Sequence, residues 1–251
     1  MPSGRPVLVV TGGSRGIGAA VARLAPGRGY AVAVNYVRDG DAARGVVRDI
    51  ERADARACAI QGDVSSEADV ARLFDEAAKT LGPVTALVNN AGVPGRPGRL
   101  DALTDEDLSR VLRINVAGTI LCARDAVRRM SRRHGGQGGA IVNVSSAAAR
   151  LGGPGEWVHY AASKGAVESF TIGLAREVAA DGIRVNAVRP GLIATEIHAA
   201  AGDPARPARL APTVPMARAG TAEEVAEAIL WLLSPAASYT TGAILDVAGG
   251  R

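Results

Sequence analysis

The chain has 251 residues, 47% of them hydrophobic and 22% charged, and a formal charge of +4. That length supports a full core, and no apolar run approaches the ~20 residues of a membrane span. Met1 to Pro6 carries no apolar signal segment. The positive excess is arginine scattered over many segments and aromatics are only 3% of the chain, which argues against a nucleic-acid partner. Arg128, Arg129, Arg132 and Arg133 form the one dense basic cluster. They fall at the expected end of a helix, where cations oppose the macrodipole. Cys58 and Cys122 are the only cysteines, far apart in apolar segments. They read as buried thiols of a reducing compartment, hence a cytoplasmic protein.

Residues 6–10 form an apolar run ending in Thr11-Gly12-Gly13 and predict a buried strand. Helical spacing follows over 16–28, a second strand over 31–36, a helix over 41–52 and a third strand over 55–61. A helix over 66–81 opens with Glu67 and Asp69, and a fourth strand covers 85–89. One long helix is predicted over 104–130, with Thr104 as its cap. The pattern continues as strand 140–144, helix 158–180, strand 183–188, helix 222–233 and strand 243–247. Trp231 falls on the apolar face of that last helix and is expected in the core. Uninterrupted apolar strands alternating with helices imply a parallel, doubly wound α/β sheet of about seven strands, covered on both faces. No linker divides the chain, so residues 1–251 read as a single domain. The long irregular stretch 191–220, with four prolines, follows the sixth strand at the ligand-binding edge and reads as a substrate loop or lid.

Thr11-Gly12-Gly13-Ser14-Arg15-Gly16-Ile17-Gly18 joins the first strand to the first helix. Glycines there let the backbone approach a pyrophosphate, and the helix N-terminus presents N–H groups to it. The second strand ends Asn35-Tyr36-Val37-Arg38 with no carboxylate at its tip. Arg15 and Arg38 could meet a 2′-phosphate through charge-assisted bonds. NADP(H) is therefore favoured, with NAD(H) possible.

Tyr160 and Lys164 stand four residues apart, on one face of a helix. Lys79 and Lys164 are the only lysines of the chain. An ammonium ~5 Å from a phenol, at an effective dielectric of ~20, favours the phenolate by about 3 kcal/mol. The pair is thus expected to lower the Tyr160 pKa and ready it for proton transfer. Around it, His134 and His198 are isolated, and no His/Cys/Asp cluster has metal spacing. His159 points off the Tyr160 face. Glu156 and Trp157 lie at the expected mouth of the site.

With these motifs in order, the chain resembles the short-chain dehydrogenase/reductase family over essentially its whole length. The matching residues are Thr11-Gly12, Gly16, Gly18, Asp63-Val64, Asn89-Asn90-Ala91-Gly92, Asn115, Ser145-Ser146, Tyr160, Lys164, Arg189-Pro190-Gly191 and Thr195. The resemblance implies an oxidoreductase interconverting a secondary alcohol and a ketone. Tyr160 would be its acid/base and Ser146, chosen over Ser145 by family spacing, would orient the substrate oxygen. Lys164 would hold the nicotinamide ribose, and Asn115 would bind a water linking Lys164 to solvent. It further implies cofactor contacts from Gly12, Ser14, Arg15, Gly16, Ile17, Gly18, Asn35, Tyr36, Arg38, Asp63, Val64, Asn90, Ala91, Gly92, Pro190, Gly191, Ile193 and Thr195. Asn89 reads as structural, and Asp63 is alternatively a turn residue after Gly62. The family's common homotetramer, through the two long helices and the last strand, is expected here. The substrate is a small alcohol or carbonyl compound. A non-catalytic nucleotide sensor with the same fold is the alternative, but it would be expected to lack Tyr160, Lys164 or Ser146.

Overall fold

Strands that are apolar on both faces need cover on both faces, and the helices between them provide it. The computed structural model describes residues 5–196 and 202–251. Its strands are β1 (Val7–Val10), β2 (Ala31–Tyr36), β3 (Ala57–Gln61), β4 (Val84–Asn89), β5 (Gly139–Val144), β6 (Ile183–Pro190) and β7 (Ile244–Val247). Its α-helices are α1 (Gly16–Leu24), α2 (Gly40–Arg52), α3 (Glu67–Leu81), α4 (Asp105–Leu112), α5 (Thr119–Met130), α6 (Ala148–Leu151), α7 (Val158–Val178), α8 (Arg206–Leu210) and α9 (Ala222–Leu233). All seven strands pair in parallel, in the order β3-β2-β1-β4-β5-β6-β7. This is a doubly wound Rossmann sheet. The order reverses between β1 and β4, and ligands of such sheets lie in the crevice outside the carboxyl ends at that point.

The period of two along each strand divides the core. Leu8, Val10, Val32 and Val34 pack with Val21 of α1, Val46 of α2 and Ile229 of α9. Their neighbours Val7, Val9, Ala31 and Ala33 face the other way, onto Phe74 of α3, Ala126 of α5 and Val178 of α7. Short polar side chains start the helices by accepting an orphan N–H. Asp39 does so for α2, Ser66 for α3 and Thr104 for α4, and Thr221 with Glu224 forms a capping box on α9.

Four expectations are corrected. The helix predicted over 104–130 is α4 and α5 joined by a π-helical segment, Arg113–Gly118. Such widened turns are frequent at functional sites, and this one carries Asn115. The stretch 191–220 is not wholly irregular, because α8 lies within it with Pro207 in its first turn, where a missing N–H costs nothing. Trp231 is 44% exposed, since α9 buries Val225, Ala226, Ile229, Leu230 and Leu233 instead. Cys58 is only partly buried, unlike Cys122. Among the described residues no helix is long and apolar enough to cross a membrane.

Candidate active site

The glycine turn is held from behind by Thr11 and Asn90. Thr11 Oγ1 accepts from the N–H groups of Asn90 and Ala91, both at 3.0 Å. The Asn90 amide donates to Thr11 O at 2.9 Å and to Gly12 O at 3.0 Å. Gly12 and Gly16 have φ of +60° and +53°, the left-handed region that disfavours side chains. At Gly18 the constraint is space: a Cβ would lie 2.5 Å from both Gly12 O and Asn90 Nδ2. The turn therefore delivers α1 with its N–H groups toward the crevice. No side chain caps α1 and no acid stands in its first turn, which suits an anionic phosphate. Ser14 is partly buried within the turn, Arg15 is exposed at its rim, and Ile17 lines the cleft.

Asn35 and Tyr36, expected against the cofactor, also make contacts within the protein. Asn35 is buried and spends its side chain on the protein: Oδ1 accepts from Gly12 N at 3.3 Å and Nδ2 donates to Gly62 O at 2.9 Å. It ties the turn to the end of β3, because a buried amide must pair with the nearest backbone groups. The partly buried Tyr36 packs on Gly40, whose Cβ would sit 3.2 Å from the phenol oxygen. Arg38 is exposed just beyond β2, and neither it nor Arg15 enters an ion pair with the described residues. Asp39 accepts from Ala42 N at 2.9 Å, so the nearest carboxylate to the tip of β2 is engaged as a cap. One carboxylate oxygen of Asp63 accepts from both N and Oγ of Ser65. Val64 packs beneath Gly118, where a Cβ would meet it at 2.7 Å. Asn89 is buried and donates to Asn143 and Thr119.

At the centre of the cleft, Tyr160 and Lys164 project from one face of α7 with Ser146 beside them. Lys164 is 5% exposed, and its Nζ donates to Val144 O at 2.7 Å. Burial pushes its amine down to about 8. Nζ lies 5.8 Å from the centre of the Tyr160 ring. Burial raises the Tyr160 pKa above its ordinary value, against a hydrogen bond with Ser146 that lowers it. The expected net lowering of the Tyr160 pKa is not met, because desolvation of the phenolate outweighs what its neighbours offer it.

The two serines divide cleanly. Ser145 is buried and donates to Glu168 Oε1 at 2.7 Å, whereas Ser146 reaches Tyr160 and accepts from Ala148 N at 3.1 Å. Asn115 is fully buried. It clamps Val93 by accepting from its N–H and donating to its carbonyl, both at 2.9 Å, and donates to Ser163 at 3.0 Å. Gly92 separates Asn115 from Lys164; a Cβ there would lie 3.3 Å from Asn115 Oδ1 and 3.4 Å from Lys164 Nζ.

The outer wall comes from the ends of β4, β5 and β6. Pro190, Gly191 and Ile193 line the cleft, and Gly191 lets the chain pass Ala248, whose Cα would be 2.7 Å from a Cβ. Thr195 lies over the glycine turn, 3.6 Å from a Cβ built on Gly16. The cleft encloses about 400 Å³. Glu156 and Trp157 line it, as does Arg206, which the sequence reading did not single out. His159 is buried away from it, 3.6 Å from Asp107. His134 is exposed, and His198 lies outside the described residues. Behind the serines, Arg189 forms a double hydrogen bond with Glu168 at 2.9 and 2.8 Å and also meets Asp246 at 2.9 Å. Glu168 sits one turn beyond Lys164, so the same spacing that marks the Tyr160–Lys164 pair could have found it. Arg206 reaches a partner fifty residues away and leaves no periodic trace.

A family model described as "Enoyl-(Acyl carrier protein) reductase" matches residues 12–251. The chain is 53% identical over 245 residues to an uncharacterized oxidoreductase, YgfF, of Escherichia coli strain K12, covering 98% of this chain and 99% of that one. It is 43% identical to a cis-4-hydroxycyclohexanecarboxylate dehydrogenase of Sinomonas cyclohexanicum, covering 97% and 95%. Among solved structures, a blue fluorescent protein from a metagenomic library, in complex with NADPH, superposes with a TM-score of 0.89 at 36% identity, covering 100% and 99%.

Proposed function

The chain belongs to the short-chain dehydrogenase/reductase family, and on that premise we propose that it is an NADP(H)-dependent enzyme interconverting a secondary alcohol and a ketone. One observation carries the reading: Ser146, Tyr160 and Lys164 line a single cleft that also reaches Ile17 in the first turn of the uncapped helix α1. The residues present fit the cofactor. The glycine turn and α1 suit the pyrophosphate, and Lys164 and Gly92 suit the nicotinamide ribose. Asp39 is engaged as a cap while Arg15 and Arg38 stay exposed, which supports a 2′-phosphate over a bare diol.

When bound, the nicotinamide gives or accepts the hydride. The protein supplies placement and the proton. At neutral pH the Tyr160 phenol is protonated, so in ketone reduction it donates its proton to the carbonyl oxygen as negative charge builds there. Ser146, which lines the same cleft as that phenol, gives the same oxygen a second hydrogen bond and fixes its position. Lys164, with a pKa of about 8, is charged at pH 7 and stands one helical turn away to stabilise the phenolate left behind. Both amide hydrogens of Asn115 are engaged, so a water joining Lys164 to solvent meets it at an oxygen. Oxidation runs these proton steps in reverse.

The whole chain acts as one catalytic domain, with 191–220 as its substrate loop. We place it in the cytoplasm as a homotetramer built on α5, α7 and β7. Sedimentation at micromolar concentration tests the assembly, and a lone monomer refutes it. The function is tested with a panel of ketones and secondary alcohols, read at the reduced-nicotinamide absorbance band. NADPH oxidation by at least one ketone is expected. Silence across the panel, with NADPH demonstrably bound, overturns the enzyme reading.

A further inference from the structure

Glu156 and Arg206 meet at the mouth of the cleft, the first just before α7 and the second opening α8. Arg206 Nη1 donates to Glu156 Oε1 at 2.7 Å and Nη2 to Oε2 at 2.5 Å. The guanidinium carbon lies 4.6 Å from the centre of the Trp157 ring, and Trp157 Nε1 donates to Gly95 O at 3.3 Å. The Arg206 side chain is only 15% exposed. Around the pair the lining is apolar, with Pro94, Leu151, Pro154 and Leu192.

A guanidinium stacked on an aromatic ring at a cleft mouth has the geometry of a carboxylate anchor. Its planar fork matches two oxygens at once. Here a carboxylate of the chain itself fills that fork. The paired groups cancel in charge, and an anionic substrate would have to displace Glu156 or lie beside it. Displacement gains a substrate little, because it exchanges one carboxylate for another on the same fork, and Glu156, 43% exposed, already holds that place at no cost of association. The other cations of the lining are Lys164, committed to Val144 O, and Arg251.

We infer that Glu156 is a specificity-determining residue. By occupying the Arg206 fork it selects uncharged, apolar carbonyl and alcohol substrates and rejects those carrying a carboxylate. The inference rests on the carbonyl–alcohol reading above.

The test compares kcat/KM with NADPH for cyclohexanone and 4-oxocyclohexanecarboxylate, a pair differing only by the carboxylate. Wild type is expected to prefer the neutral ketone by roughly tenfold or more, the range of one unfavourable charge contact. Glu156→Gln frees the fork, and that preference is expected to shrink about tenfold, through a lower KM for the acid that weakens as salt is added. Arg206→Gln leaves the carboxylate alone and is expected to widen the preference. The two variants move the ratio in opposite directions, so either remains decisive if the other folds poorly. An unchanged ratio in Glu156→Gln, or a preference that narrows in Arg206→Gln, overturns the inference and leaves the enzyme reading standing. Failure of the wild type on every ketone of the wider panel overturns both.

Discussion

Lys164 stabilises the chemistry at the expense of the fold, and its removal should therefore stabilise the nucleotide-free protein. A lysine that titrates at about 8 instead of 10.5 carries a charge-burial penalty of about 3 kcal/mol at neutral pH. Lys164→Met keeps the length and apolar stem and discards the charge. It also discards the bond to Val144 O, whose loss returns about 1–2 kcal/mol. The net gain is about 1–2 kcal/mol, which for a chain of this size raises the melting midpoint by roughly 2–8 °C. The pH dependence has a definite sign. Between pH 8 and 10.5 the unfolded chain binds a proton that the folded protein has released, so wild-type stability rises across that window. The penalty is full below pH 8 and absent above 10.5, and the variant never carries it. Thermal melts of both proteins without nucleotide, at pH 7 and pH 10, check the reasoning. The variant should melt higher at pH 7, and its advantage should close as pH rises. A variant that melts lower at pH 7, or a gap that ignores pH, refutes it. In the same variant NADPH-dependent turnover should fall to background.

Tyr160→Phe removes the proton donor and should cut kcat by roughly 10²–10⁴ while NADPH binding, followed by fluorescence titration, stays within a few-fold; equal losses in both would contradict its role. Arg38→Ala should lower kcat/KM for NADPH by about tenfold, the scale of one charge-assisted contact, and leave NADH nearly unchanged. A wild type that prefers NADH refutes the cofactor assignment. Glu168→Ala removes the two-point partner of Arg189, a pair whose side chains are both 14% exposed, and leaves Asp246 as the remaining carboxylate. It should cost about 2 kcal/mol, or roughly 4–8 °C in a thermal melt. Burial pushes the Glu168 carboxyl up, but Arg189 and Ser145 hold it below its ordinary 4.5. The stabilisation is therefore present above that pH and fades as pH falls below it, so the variant and wild type should converge in acid.

The fold class, the order of the chemical motifs along the chain and the glycine turn are all legible in the sequence. Each rests on local information. The apolar runs 6–10 and 31–36 specify buried strands by composition, Gly12 and Gly16 specify a left-handed turn, and Tyr160 and Lys164 specify a shared helix face by spacing. Tertiary structure decided what depends on which groups meet across long separations. Asn35 reads as a cofactor contact in sequence, and only the fold shows that it also braces the turn, because β3 brings Gly62 to its amide. The Tyr160 pKa moved against the pairwise Coulomb argument, since that argument holds the dielectric fixed and burial does not. Trp231 left the core because α9 buries a face of smaller residues. Glu156 and Arg206, fifty residues apart, become one neutral ion pair only when α8 folds back over the start of α7. Periodicity encodes which face of an element is apolar; it carries no record of which distant charge arrives to complete a site.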